Sequence, residues 1–381
     1  MIGPAMSQAS LEVVRSIYRR WGEGGSARDL IAADLEYVNP PYAVESGTRH
    51  GRGALGGVRE VYPDFHVEPE RFLDAGEDVV VLDDLSTGFR WAVPEGVPLV
   101  VGDFGDEDLV TETIARYNVS EIAHFAAKIV VPESVADPLG YYLNNTAKAR
   151  TLLDAAVHCG VERFIFSSTA AVYGDPSKNP VDEDEPLKPV SPYGRSKLMV
   201  EWMLEDTARA HGLRYVVLRY FNVAGGDPRG RAGQSTPKAT HLIKVAVQAA
   251  LGLRDKLQVY GTDYPTPDGS CVRDYIQVTD LARAHLDALR HLRAGGDNLV
   301  CNCGYGRGFS VLEVIETVKR ISGVDFAVEI AGRRPGDPAA IVAGNKRVRE
   351  KLGWKPEHDN LEEIVRQALE WERGLARRQV G

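Results

Sequence analysis

Four cysteines in 381 residues, Cys159, Cys271, Cys301 and Cys303, leave no material for a disulfide framework. Cys301 and Cys303 stand one residue apart rather than two, and no second pair or nearby histidine follows. They read as buried or strand thiols rather than as half of a metal site. No stretch approaches the roughly 20 apolar residues that a membrane span needs. The opening MIGPAMSQASLEVVRS lacks a basic start followed by an apolar run, so no secretory signal is expected. Positive charge is in deficit as well. Lysine and arginine number 45 against 54 aspartates and glutamates, a formal net charge of −9, which argues against wrapping nucleic acid. It does not exclude an anionic substrate, because a few local arginines decide that. A cytoplasmic chain of about two domains, at roughly 150 residues each, is the expectation.

What is present is a rhythm. From about Val79, short apolar runs alternate with longer amphipathic segments: VVVL at Val79–Leu82, then Leu99–Val101, Ile122–Phe125, FIFS at Phe164–Ser167 and YVVL at Tyr215–Leu218. Between them Asp108–Tyr117, Gly140–His158 and Lys197–His211 read as helices. Buried β-branched runs alternating with helices predict a parallel sheet covered on both faces, hence a Rossmann-type doubly wound α/β domain over residues 72–222. After Asn222 the texture turns to loops rich in Gly, Pro and Asp with short helices such as Thr240–Leu251 and Val311–Ser322. Residues 223–381 therefore read mainly as a smaller lobe closing over the carboxyl edge of the sheet, with 272–300 returning to the first domain.

The strongest local constellation is Ser191-Pro192-Tyr193-Gly194-Arg195-Ser196-Lys197, preceded by Ser167-Ser168-Thr169. Tyr193 and Lys197 are four apart, so at a helix start they share a face. A phenol with an ordinary pKa near 10 is a poor base at neutral pH. A cation about 6 Å away contributes roughly 2–3 kcal/mol at an effective dielectric of 20, about two pKa units, and a second cation doubles that. Lys197 plus an oxidised nicotinamide ring would bring Tyr193 into the range where acid–base catalysis works. Thr169, at a strand end, would hydrogen-bond the same substrate hydroxyl. With 15 tyrosines in the chain about one Tyr-x-x-x-Lys arises by chance, and the context after FIFSS is what gives this one meaning.

From about Phe72 to Trp371 the sequence resembles the UDP-glucose 4-epimerases, a branch of the extended short-chain dehydrogenase/reductase family. The matching stretches are VVVLDDLSTGF (79–89), HFAAKIVVPESV (124–135), SSTAAVYG (167–174), SPYGRSKLMVE (191–201), LRYFNVAGGDP (218–228) and YGTDYPTPDGSCVRDYIQV (260–278). One small departure is Gln277, where family members commonly carry histidine. The resemblance implies NAD as cofactor and a UDP-sugar as substrate, with a homodimer as the usual assembly. It implies that Tyr193 is the base and acid for the sugar 4-hydroxyl, that Lys197 binds the nicotinamide ribose and tunes the phenol, and that Thr169 holds the hydroxyl. Asp83 would take the adenosine ribose with Asp84 beside it. Asp103 and Phe104 would flank the adenine, Phe125 and Ala126 the pyrophosphate and ribose, and Asn144 would reach the cofactor from its helix. Asn222, Leu242, Tyr260, Arg273, Arg334 and Asp337 match positions that hold the UDP-sugar, and an arginine fork suits a pyrophosphate. Ile341 falls where the family gates N-acetylated sugars. A dehydratase needs an acidic pair after the active-site threonine. Here Ala170 and Ala171 follow Thr169, which argues against elimination.

One shortage cuts against the family pattern. A Rossmann domain opens with an apolar strand, a glycine-rich turn and a helix N-terminus that holds the pyrophosphate. Immediately upstream of LDAGEDVVVLDD this chain has REVYPDFHVEPERF, which contains no glycine. A literal Gly-x-Gly-x-x-Gly exists at Gly51–Gly56, but polar residues precede it and Pro63 limits any following helix, so it reads as a solvent-facing turn. Residues 1–71 resemble part of a SnoaL-like (NTF2-like) α+β domain, through LEVVRSIYRRWGEG, LEYVNPP and GRGALGGVREVYPDFHVEPERF. The expectation is a fusion joined between about Phe72 and Val81 that lacks the first Rossmann strand. Leu35–Asn39 or Phe65–Phe72 are the candidates to replace it. Two alternatives share these residues: another nucleotide-sugar epimerase or reductase of the same family, and a non-catalytic chimera that binds UDP-sugar weakly.

Overall fold

The computed structural model describes residues 36–39, 47–50, 73 and 75–378, apart from 236–238 and 335. The chain divides into two units, Met1–Val61 and Tyr62–Gly381. In the first, β1 (Glu36–Asn39) pairs antiparallel with β2 (Gly47–His50), Glu36 opposite His50. Among the described residues Glu36–Asn39 pairs with β2 alone. The other candidate, 65–72, and the loop at Gly51–Gly56 lie outside the described residues.

The second unit begins with a turn in which Gly76 N–H donates to Leu73 C=O, 2.9 Å. Beyond it the βα alternation holds: β3 (Val81–Asp83), β4 (Leu99–Val101), α1 (Glu107–Tyr117), β5 (Glu121–His124), α2 (Lys148–His158), β6 (Arg163–Thr169), α3 (Pro192–His211) and β7 (Arg214–Tyr220). The segment expected as one helix from Gly140 is composite. Pro138–Tyr141 is α-helical, Tyr142–Ala147 is a π-turn, and α2 follows. The helix α3 starts at Pro192 rather than at Lys197. Ser191 caps it by accepting from Gly194 N–H at 3.1 Å, and a proline in the first turn loses no hydrogen bond.

These strands form two parallel sheets. β3 pairs with β4 in one; β5, β6 and β7 lie in order in the other, and β11 (Leu299–Cys303) joins it beside β7. In a Rossmann sheet the first strand lies between the second and the fourth, which here are β3 and β5. Among the described residues no strand joins β3 to β5. Arg293 ties the two pieces at their amino ends, with bonds of 2.8 Å to both oxygens of Glu77 and 2.9 Å to Glu121. At 42% exposure this is a surface contact of about 1 kcal/mol at most.

The chain then leaves the sheet through β8 (Asn222–Ala224), α4 (Leu242–Ala250), β9 (Leu257–Tyr260) and β10 (Val272–Gln277). It returns with α5 (Val278–Arg293) and β11, and leaves again with β12 (Gly308–Ser310), α6 (Val311–Ser322), β13 (Val328–Ala331), β14 (Ala340–Ile341), α7 (Lys346–Leu352) and α8 (Leu361–Arg378). β10 pairs with β8, β12 and β14, and β9 pairs parallel with β13. The largest core cluster runs from Val216 and Leu218 on β7 through α4 and α5 to Trp354, whose indole N–H donates to Asp280 C=O at 2.8 Å. All four cysteines are free thiols, and Cys271, Cys301 and Cys303 are buried. Among the described residues no helix is long and apolar enough to cross a membrane.

Three histidines are packed in neutral form. Burial, with help from the Lys197 ammonium, pulls His124 down to about 3. Burial and Lys244 pull His241 to about 4, and burial pulls His285 to about 4 against the Leu281 carbonyl. The unfolded chain, with ordinary imidazoles near 6.5, takes up these protons first. Stability should therefore fall as pH drops from about 6.5 toward 4, by roughly 1.4 kcal/mol per pH unit for each histidine. Urea titrations at pH 7, 6 and 5 would show this, with a shallower slope for His285→Gln. A slope unchanged by that substitution would count against the buried neutral ring.

Candidate active site

The site begins where β6 ends. Thr169, the last residue of β6, caps a short 3₁₀ turn (Ala170–Val172) by accepting from Ala171 N–H at 3.1 Å. Gly194, in the first turn of α3, lies against that turn so closely that a Cβ there would sit 2.6 Å from the Ala171 carbonyl oxygen. Only glycine permits the approach. It sets Tyr193 beside Thr169. Burial pushes the Tyr193 phenol above its ordinary value, and the neighbouring Thr169 hydroxyl pulls it back part of the way. One turn further on, Lys197 is 3% exposed; its Nζ donates to Ser167 C=O at 2.8 Å and lies 4.9 Å over the Phe166 ring. The three residues expected to do acid–base chemistry are thus assembled by one strand end and one helix start.

The expected adenosine end forms a second group. Asp83 closes β3; its Oδ1 accepts from Leu85 N–H at 2.6 Å, and a Cβ on Gly88 would come within 2.5 Å of it. Asp84 is exposed and caps its own turn through Ser86. Asp103 accepts from Gly105 N–H at 2.8 Å and pairs with Lys148 at 2.6 Å. Phe104 stands 4.9 Å from the His124 ring, and Phe125, followed by Ala126, contacts His285 at 4.9 Å.

Asn144 is half-buried; its Oδ1 accepts from Lys148 at 3.3 Å and its amide donates to Asn145. The neighbour Asn145, 2% exposed, escaped the sequence reading. It grips both peptide groups of Lys128 at 2.8 Å and donates to Ser196 Oγ at 3.1 Å, while Ser196 in turn donates to Tyr193 C=O. Tyr141, Asn145 and Ala149 are all buried at spacings of four, which was the available signal.

The residues expected at the UDP-sugar gather around β9, β10 and β14. Arg273 on β10 lies opposite Ile341 on β14, with Asp337 3.9 Å from its guanidinium. Arg334 stacks on Tyr260, its Cζ 3.6 Å from the ring centre. Asn222 on β8 donates to Asp274 C=O at 3.2 Å, so that it lies along the same strand as Arg273. Leu242 opens α4. Gln277, the departure from the family pattern, is fully buried and caps α5 by accepting from Thr279 and Asp280 N–H.

Residues 69–304 match the NAD dependent epimerase/dehydratase family. The UDP-glucose 4-epimerase of Azospirillum brasilense is 58% identical over 302 residues, 79% of this chain and 87% of that protein. The crystal structure of UDP-glucose 4-epimerase from Brucella ovis in complex with NAD superposes with a TM-score of 0.78 at 45% identity, covering 80% of this chain and 93% of that one. That from Bifidobacterium longum in complex with NAD+ and UDP gives 0.76 at 36% identity, covering 81% and 94%. The family match starts at residue 69, and the SnoaL-like resemblance of residues 1–71 finds no support in these relatives.

Asn145 should matter for more than shape. Asn145→Leu removes three hydrogen bonds between the 128 loop and α3, and should cost about 2–4 kcal/mol in urea denaturation. A loss below about 1 kcal/mol would show that the loop is held by other means.

Proposed function

This chain belongs to the NAD dependent epimerase/dehydratase family, and from that premise we propose that it interconverts UDP-galactose and UDP-glucose by transient oxidation at carbon 4 of the sugar. The reading is carried by one observation: Tyr193 opens α3 against the Thr169 end of β6, with buried Lys197 one turn away on the same helix. Tyr193 takes the proton of the sugar 4-hydroxyl and later returns it, so that no net proton is consumed. Thr169 orients that hydroxyl. Lys197, fixed by the Ser167 carbonyl, presents its charge to the phenol and to the nicotinamide ribose. Arg273 and Arg334 hold the diphosphate, and Asn222, Leu242, Tyr260 and Asp337 complete the nucleotide-sugar site. Ala170 and Ala171 supply no acid for elimination, which favours epimerisation over dehydration.

NAD fits this chain at its two ends. The carboxylate of Asp83 at a strand end suits a ribose diol, and Asp103, Phe104, Phe125, Ala126 and Asn144 would hold the cofactor between it and the Tyr193–Lys197 pair. Bound there, NAD would supply the hydride acceptor and donor for carbon 4. Between the ends, the glycine-rich turn that the family uses for the pyrophosphate is absent from its place upstream of LDAGEDVVVLDD. Losing two or three charge-assisted backbone bonds, at roughly 1.5–3 kcal/mol each, weakens NAD by several orders of magnitude.

Free cysteines suit a reducing cytoplasm. A second copy of the chain suits the apolar surface of Val135, Leu139, Leu143 and Trp202, which are 54–79% exposed.

Conversion of UDP-galactose to UDP-glucose by the purified chain should therefore rise with added NAD, and gel filtration should strip the cofactor. Absence of turnover at millimolar NAD would overturn the epimerase reading. Cofactor retained through gel filtration would overturn the argument from the missing glycines. Tyr193→Phe should lower turnover by at least about a hundredfold while UDP binding by calorimetry stays within a few-fold. Lost UDP binding would count against the role given to Tyr193.

A further inference from the structure

We propose that the buried Glu201–Arg219 pair, joined by Ser168, sets the position of Tyr193 against Thr169, making Glu201 and Arg219 positioning residues for the reaction. The inference extends the epimerase reading to residues that touch neither sugar nor cofactor.

Ser168 on β6, Arg219 on β7 and Asn302 on β11 are direct register partners, so their side chains form one row across the face of the sheet. Glu201 on α3 lies over that row. Its carboxylate takes Arg219 in a fork, Nε to Oε1 at 3.1 Å and Nη2 to Oε2 at 2.7 Å, and accepts a short bond from the Ser168 hydroxyl. The Arg219 Nη1 donates to the Tyr173 hydroxyl at 2.9 Å, which donates to Asn302 Oδ1 at 2.7 Å. The side chains of Glu201 and Arg219 are 6% and 5% exposed.

Two members of this chain of bonds adjoin the site. Ser168 directly precedes Thr169, and Arg219 precedes Tyr220, whose register partner is Thr169. Glu201 lies four residues beyond Lys197 and eight beyond Tyr193, on the same helix face. The fork therefore fixes both the rotation of α3 and its height over the end of β6. Stability alone does not require such a pair, because well-packed apolar side chains in its place are often at least as stable. What apolar packing lacks is direction. A displacement of about 1 Å at a reacting group costs about a hundredfold in rate, and a bidentate fork resists sliding in a way that methyl groups do not.

The test uses the full chain with saturating NAD and two variants, Glu201→Gln and the double variant Glu201→Met/Arg219→Met. Both should lower kcat for UDP-galactose about 10–100-fold while KM stays within about twofold. The double variant should unfold in urea at or above the midpoint of Glu201→Gln. Wild-type kcat in the double variant, or a loss confined to KM, would overturn the proposal. So would a double variant that does not fold, since the pair would then serve the fold itself.

A second readout does not need turnover: the ionisation of Tyr193, followed by NMR of carbon-13 tyrosine and assigned with Tyr193→Phe. Tyr141 and Tyr220 couple electrostatically to Tyr193, and Lys197 lies on its helix face. Removing the Glu201 charge would by itself lower the Tyr193 pKa. Loss of position takes the Thr169 hydroxyl away from the phenol and raises it. A rise in Glu201→Gln supports the proposal, and a fall or no change overturns it. If the unsubstituted chain shows no turnover, the epimerase reading fails while this titration still decides the positioning role.

Discussion

The contact on which the site depends is the approach of the first turn of α3 to the end of β6, where Gly194 meets the Ala171 carbonyl. At that junction the helix start is nearly in backbone contact with the strand end, and every other feature of the site is referred to it. Ser191 caps the helix, Thr169 caps the turn, and Lys197 reaches back to the Ser167 carbonyl. Asn145 anchors the 128 loop to Ser196 in the same turn. A wider residue at position 194 would lift the phenol away from Thr169 without altering any catalytic side chain. Acid–base chemistry needs its partners within hydrogen-bond reach, so this one close contact governs whether the residue set can act.

The sheet beneath the junction is less uniform. Its half around β6 and β7 is fully built, with Phe164, Phe166, Val216, Val217 and Leu218 at or near zero exposure. The β3–β4 half carries the Asp83 end, and among the described residues it is linked to β5 through Arg293 rather than through a ladder. The residues proposed for catalysis and for the UDP-sugar stand on the well-built half, with β10 and its neighbours. Asp83, proposed for the adenosine ribose, stands on the other. Catalytic geometry and cofactor affinity therefore rest on different parts of the fold, so a loss at the pyrophosphate weakens binding while leaving Tyr193 where the chemistry needs it.

Much of this was legible without coordinates. Periodicity placed β4, β6, β7, α1 and α6 within a few residues, because buried parallel strands and amphipathic helices leave strong patterns. The four-residue spacing of Tyr193 and Lys197 put both on one helix start, where the structure has them against the end of β6. Other features were not legible. The π-turn at Tyr142–Ala147 lies inside a segment whose sequence reads as one continuous helix. Glu36–Asn39 has strand propensity but its partner is β2, and pairing is a property of two segments rather than of either.

The sequence by itself determined the residue types and the order of elements: which side chains can hold a proton, which can grip a diphosphate, and which glycines are missing. Those properties are local, carried by composition, spacing and period. Only the tertiary structure decided which of them meet. Ser168, Glu201, Arg219 and Asn302 are spread over more than 130 positions of chain, and nothing in their neighbourhoods marks them as one network. They are joined because parallel strands bring distant residues into register and a helix lays its one buried carboxylate across the row. The cost of burying that charge is offset only by partners supplied from other elements, and that compensation exists only once the chain has folded.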